Sequence, residues 1–182
     1  LNPRHNLAAG SANDPGEEAQ PGIPLHRFSE DEVAELGAVF AATEEVRIAL
    51  SQDRVDSVSV AVTEIRTGLE RLDFTQQPPD IRAALAEAEA SIGHLEVADT
   101  AVVARKPYAL LQQALFSLAE ADPRLQEGWH AFSCPMTDDF PKWFQEHNEI
   151  ENPYMGQQML ACGSGSDWSS HEAQSSTLSG AD

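Results

Sequence analysis

Both cysteines and all three methionines of the chain fall between residues 134 and 162. Cys134 and Met136 flank a proline in Cys134-Pro135-Met136, and Met155, Met159 and Cys162 follow at spacings of four and three. Thiolates and thioethers are soft donors, and a set of them suits Cu(I), and Ag(I) by the same softness; hard cations prefer oxygen. Zinc takes cysteine but rarely methionine, and a structural zinc site wants four Cys or His ligands. His130 and His147 are the histidines that would complete such a set, although the spacings match no compact zinc module. Equally open is a disulfide between Cys134 and Cys162, which in an oxidising compartment would stabilise by about 3 kcal/mol. The methionines would then be core filler.

Two short elements must carry these sulfurs. In "LQEGWHAFSCPM", His130, Phe132 and Cys134 share one parity, so a short extended stretch lays Phe132 and Cys134 against the rest of the fold. Pro135 stops regular pairing, and Cys134 and Met136, at i and i+2, are expected on one side. "TDDFPKW" is turn-rich, and Trp143 and Phe144 are expected to cap one end of the core. "NPYMGQQMLACG" reads as a compact helix, with Asn152 as N-cap, Pro153 at the first helical position and Gly163 just past the end. On that helix Met155, Met159 and Cys162 would line one face. If the two pieces meet, five sulfurs converge.

The scaffold upstream reads as four helices. Ser29 and Glu32 form a capping box, and Val33, Leu36, Phe40, Val46 and Leu50 recur at helical spacing behind it. Asp53 is placed to cap a second helix with the stripe Val55, Val58, Val62, Ile65, Leu69 and Leu72. "QQPPD" breaks the chain; a third helix starts near Pro79 and carries Ile81, Leu85, Ala88, Ile92 and Leu95, with Gly93 inside it and His94 at its surface. The fourth runs from about Asp99 to Ala121, turning Val103, Leu111, Leu115 and Leu118 inward, with Pro107 expected to kink or split it. No long alternating runs occur, so no sheet is expected. The fold class is all-α: an antiparallel four-helix bundle with a Cys/Met-rich extended turn and short helix at its C-terminal side. Residues 1–24 read as a disordered linker, 25–163 as the domain with the sulfur-bearing part at 126–163, and 164–182 as a disordered Ser/Gly-rich tail in which nothing holds Trp168 or His171.

At Cys134-Pro135-Met136, Trp143, Asn152-Pro153-Tyr154-Met155-Gly156 and Met159-Leu160-Ala161-Cys162-Gly163, the sequence resembles a bacterial family of helical domains without an assigned activity. These domains occur alone, or fused at the C-terminal end of CusB-type periplasmic adaptor subunits of heavy-metal efflux pumps. The helix "ADTAVVARKPYALLQQALFSLAEAD" is similar to the one before the family's motif; the likeness is weaker over 28–98 and absent at the ends. The resemblance implies an all-helical extracytoplasmic, periplasmic domain that handles Cu(I) or Ag(I). It implies Cys134, Met136, Met159 and Cys162 as ligands, with Met155 at a variable position of the motif. It also implies an efflux adaptor or another copper-handling protein as partner. The adaptor's hairpin and barrel regions do not precede the domain in this chain.

Composition narrows the field further. Thirty acidic residues against 11 Lys and Arg give a formal charge of −19, which argues against nucleic acid and anionic membranes as partners. No run of about 18 apolar residues is present for a membrane span. The start at Leu1, without a basic-then-apolar leader, fits a processed product or a fragment. No Ser/His/Asp arrangement, phosphate loop or H-E-x-x-H is found, so no enzyme is expected. Cys134 and His130 cannot form a thiol–base pair on an extended chain, since residues four apart lie roughly 13 Å apart.

Overall fold

The computed structural model describes residues 23–170. Four helices dominate it: α1 (Glu30–Ser51), α2 (Val58–Glu70), α3 (Pro79–Glu96) and α4 (Ala101–Ala121). Three short strands follow: β1 (His130–Ser133), β2 (Lys142–Gln145) and β3 (Ser164–Gly165). Each helix packs on the next in sequence, and α4 also meets α1. The described part of the chain is therefore mostly helical, with a small sheet added.

Local chemistry sets the helix starts. Ser29 Oγ accepts from the Glu32 N–H at 3.2 Å, and the Glu32 carboxylate accepts from the Ser29 N–H at 2.7 Å, the reciprocal box read from the sequence. Thr100 caps α4 through the Val103 N–H, and Pro79 opens α3. The expected stripes are buried on α2 and α3, where Val58, Val62, Ile65 and Leu69 meet Ile81, Leu85 and Ile92 in one core. On α4 the inward row is Ala101, Ala104, Tyr108, Leu111, Leu115 and Leu118, spaced three and four apart. Val103 lies one position off that row and is exposed, contrary to the expectation. Nor does Pro107 split the helix. The carbonyl it leaves without a donor is that of Val103, on an exposed first turn that water can reach.

The sheet corrects the all-α reading. Its order is β2-β1-β3, antiparallel throughout, with Phe132 opposite Trp143 and Ser133 opposite Lys142 and Ser164. The strands are too short to show alternation, and side chains on both faces are buried, so no polar face betrays them in sequence. One face presents Phe144, which stacks on Phe40 of α1 at 4.5 Å and lies against Phe116 of α4. The other presents Phe132 and Trp143, stacked at 5.7 Å and met edge-on by Tyr154. Phe144 thus joins the sheet to the helical core as expected, whereas Trp143 lies beneath the segment that follows β2.

Residues 164–170 also depart from the disordered tail that their composition suggested. Ser164 and Gly165 pair with β1, and the Ser166 N–H continues the ladder to Ala131. Trp168 packs on Phe116 and Phe144, and Lys142 binds Asp167 at 2.7 Å and the Ser169 carbonyl at 2.8 Å. The apolar area of an indole outweighs the flexible Ser/Gly context. The expectations for 1–22 and for His171 fall outside the described residues.

Arg47 of α1 is only 2% exposed. It forks onto both oxygens of Glu44, at 2.7 and 3.0 Å, and donates to the Glu151 carbonyl at 2.8 Å. Burial raises the Glu44 carboxyl above the ordinary carboxylate range in spite of this partner. Arg47→Met would strand that carboxylate and should destabilise the protein by about 3–5 kcal/mol in chemical denaturation. Pairing it with Glu44→Gln should recover part of the loss; an additive or larger loss would show that the ion pair is not the cause.

Candidate metal centre

Cys134 follows β1 directly. Its N–H donates to the Pro141 carbonyl at 3.0 Å, which extends the β1–β2 ladder one residue past Ser133. Strand parity puts its side chain on the Phe132 and Trp143 face, where it is fully buried. Cys162 approaches from the segment laid over that face. The two sulfurs are free thiols 3.3 Å apart. Cys162 is half-buried, so the pair has one sealed member and one that solvent reaches. The neighbouring Cys134 sulfur raises the Cys162 pKa, because ionising Cys162 disturbs the thiol–thiol hydrogen bond; partial desolvation acts in the same direction.

The segment carrying Cys162 is not the expected helix. Its start is as read: Asn152 Oδ1 accepts from the N–H groups of Tyr154 and Met155, at 2.8 and 3.0 Å. The turn then fails at Gly156, whose φ is +56° where a helix needs about −63°. A Cβ there would collide with the Asp53 carboxylate and the Arg105 guanidinium. Only a short 3₁₀ turn, Gly156–Gln158, survives. Tertiary bonds outweigh the local helical signals.

Those bonds come from α1, the residues just after it, and α4. Asp53 takes a left-handed φ of 59° and does not cap α2; one carboxylate oxygen accepts from the Gln157 N–H at 3.0 Å, and the other pairs with Arg105. Arg105 donates to the Pro153 carbonyl at 2.9 Å, and Gln157 Nε2 to the Ser51 carbonyl at 2.9 Å. Asn152 passes this anchoring to the site: its Nδ2 donates to the Cys162 carbonyl and its N–H to the Leu160 carbonyl, each at 2.7 Å. Gly163, at φ +138°, lets the chain turn away where a Cβ would meet Trp143 at 2.8 Å and the Ser133 carbonyl at 2.9 Å. Arg105 and Arg47 were not selected from sequence, and Asp53 only as a cap for α2; Gly156, a helix breaker inside an otherwise capped pattern, was the one local sign that the helix fails.

The remaining candidate ligands are placed differently from one another. Met136 does not share the Cys134 side: Pro135 and Met136 form a turn that ends strand parity, and Met136 is 60% exposed. Met159 is 41% exposed, while Met155 is half-buried and packs on the core. With no helix beneath them, Met155, Met159 and Cys162 form no common row. His130 and His147 are exposed beside the far ends of β1 and β2, where His130 pairs with Gln145, away from Cys134. Among the described residues no three His, Cys, Asp or Glu side chains converge, so the Cys2His2 set is not assembled.

The sulfur pair itself has two chemical outlets. Metal–sulfur bonds of about 2.3 Å on a tetrahedral ion hold two sulfurs roughly 3.8 Å apart. A disulfide closes them to about 2.05 Å. The observed 3.3 Å separation lies between, within a small movement of either. Searches of protein-family models, curated proteins and solved structures find no match to this chain.

Two outcomes follow for the positioning of this segment. Gly156→Ala should cost at least about 1–3 kcal/mol of unfolding free energy, because a left-handed backbone and a blocked approach coincide; a neutral result would mean that the segment does not dock as described. Asp53 has its carboxyl held below the ordinary range by the Gln157 N–H and by Arg105. Its contribution is therefore complete above the unfolded value of about 3.9 and is lost as pH falls through the lowered folded value. Exchange protection of the Gln157 amide should persist to below about pH 4 and then collapse, with no such acid step in Asp53→Asn.

Proposed function

We propose that this protein binds a soft metal ion, Cu(I) or Ag(I), through the thiolates of Cys134 and Cys162, and serves extracytoplasmic copper handling. The observation that carries the reading is the 3.3 Å approach of two free thiols contributed by separate elements. Met136 and Met159 stand two residues after one cysteine and three before the other, and both are exposed. As neutral thioethers they can join or leave a soft ion without a proton. The four helices, read as an antiparallel bundle, act as scaffold. The formal charge of −19 favours approach of cations.

The motif resemblance supports a periplasmic location and an efflux adaptor or another copper-handling protein as partner. Among the described residues no helix is long and apolar enough to cross a membrane. We read the protein as a binding protein and not an enzyme, since His130, the base nearest in sequence to Cys134, is exposed on the far end of β1.

A second reading is a structural or interaction module stapled by a Cys134–Cys162 disulfide, with no metal. The same separation favours it, being shorter than two ligands of one tetrahedral ion require. Competition of the reduced protein against a chromophoric Cu(I) chelator separates the two. Metal binding predicts about one Cu(I) per chain, lost by a factor of 100 or roughly more in Cys134→Ala and in Cys162→Ala. A smaller loss is expected in the Met136→Leu/Met159→Leu double variant. Unchanged binding in both cysteine variants rejects the site. A bridge that withstands mild reductant in the native protein would favour the module.

A further inference from the structure

We propose that the cysteine pair is a thiol–disulfide exchange site for small-molecule disulfides, worked in a fixed order: Cys162 attacks first and Cys134 resolves. The order follows from access. Cys162 is half-buried in the overlying segment, whereas Cys134 is fully buried beneath it. A dissolved disulfide therefore meets Cys162 before it can meet Cys134.

The first step forms a bond between Cys162 Sγ and one sulfur of the incoming disulfide. The bond within that disulfide breaks, and its other half leaves as a thiolate. In the second step Cys134, as thiolate, attacks Cys162 Sγ from 3.3 Å, and the second half departs as a thiolate. The protein loses two electrons and two protons, and the small disulfide is reduced to two thiols. Displacement at sulfur needs nucleophile and leaving group on opposite sides, and the difference in burial of the two cysteines provides for that. With Cys134 fully buried and Cys162 half-buried, attack comes from the interior and the leaving thiolate departs on the solvent-reached side. The two cysteines are held by different elements. Cys134 is fixed by the β1–β2 ladder, while Cys162 follows a 3₁₀ turn and is held by its own N–H on the Met159 carbonyl and by Asn152 on its carbonyl.

Closing the bridge consumes both thiolates, so it would also empty a soft-metal site; this consequence rests on the metal reading above. The exchange order itself does not.

The test uses the folded, metal-free, reduced protein with glutathione disulfide, quenched with acid and read by intact mass and peptide mapping. The wild type should end two hydrogens lighter with no glutathione attached. Cys134→Ala should keep one glutathione on Cys162, and Cys162→Ala should react at least about tenfold more slowly. Should a variant fail to fold, the wild-type time course decides: a transient adduct on Cys162 supports the order, and one on Cys134 overturns it. A stable adduct on the wild type, or equal rates in the two variants, also overturns it. The oxidised protein is then set against the Cu(I) chelator. Binding by the reduced form alone, restored on re-reduction, supports the switch, and equal binding by both forms overturns it. If neither form binds while exchange proceeds in order, the metal reading fails and the exchange site stands.

Discussion

Two guanidinium groups decide where the sulfur of Cys162 lies. Arg47 on α1 donates to the carbonyl of Glu151, and Arg105 on α4 donates to the carbonyl of Pro153. Asn152, held between these two carbonyls, is fully buried and spends its side chain on the Tyr154 and Met155 N–H groups and on the Cys162 carbonyl. The position of one thiol is thus transmitted from two helices through a single asparagine. A charged donor makes a stronger hydrogen bond than a neutral one, and the planar fork of arginine lets one side chain serve several acceptors. Residues without a donor in these places would leave the carbonyls of an irregular segment without partners beside the buried Asn152.

Cations are scarce in a chain with 11 Lys and Arg against 30 Asp and Glu, and where they go is informative. Arg124 repeats the pattern at the other end of the molecule. It donates to the Phe28 carbonyl at 2.5 Å and binds Asp122, whose carboxylate in turn accepts from the Phe28 N–H at 3.1 Å. Arg47, Arg105 and Arg124 therefore each tie a non-helical strip of backbone to the helical body. The Arg54–Asp56 pair joins residues two apart, and Arg71–Glu35, which links α1 to the end of α2, is solvent-exposed on its arginine; such surface pairs add little. The excess acid is left on the surface, where mutual repulsion is weakest.

The parts of the fold that follow from local rules were legible in the sequence. The Ser29–Glu32 box, the start at Pro79, the row on α3 and the Val58–Leu69 part of the row on α2 depend on residues a few positions apart and stand as read; Val55 and Leu72 fall outside α2. The sequence left the meeting of Cys134 and Cys162 as a condition, and the fold brings the two sulfurs to 3.3 Å. The form of the segment between Asn152 and Gly163 was not legible. Its caps, its proline and its spacing are those of a helix, and the contrary influence comes from Asp53 and Arg105, about 100 and 50 residues earlier, through contacts with Gly156 that no local pattern reveals. Trp168 was hidden for a related reason: its Ser- and Gly-rich neighbours carry no propensity, and its partners Phe116 and Phe144 lie far back in the chain.

Replacing the expected helix by an anchored loop changes what the pair of thiols can be. A helix would fix Met155, Met159 and Cys162 on a rigid rod and present a preformed row of donors. The loop instead sets one thiol on an irregular segment against another fixed in a ladder, and leaves Met136 and Met159 exposed, two and three residues along the chain from a cysteine. A site of that kind would have two thiols held by the fold and exposed thioethers that can arrive or depart. For tight storage of an ion that would be a poor arrangement, since every mobile ligand costs entropy on binding. For an ion received and handed on it is the better one, because ligands can be replaced singly. On the proposed metal reading, the sealed position of Cys134 would keep one bond until last.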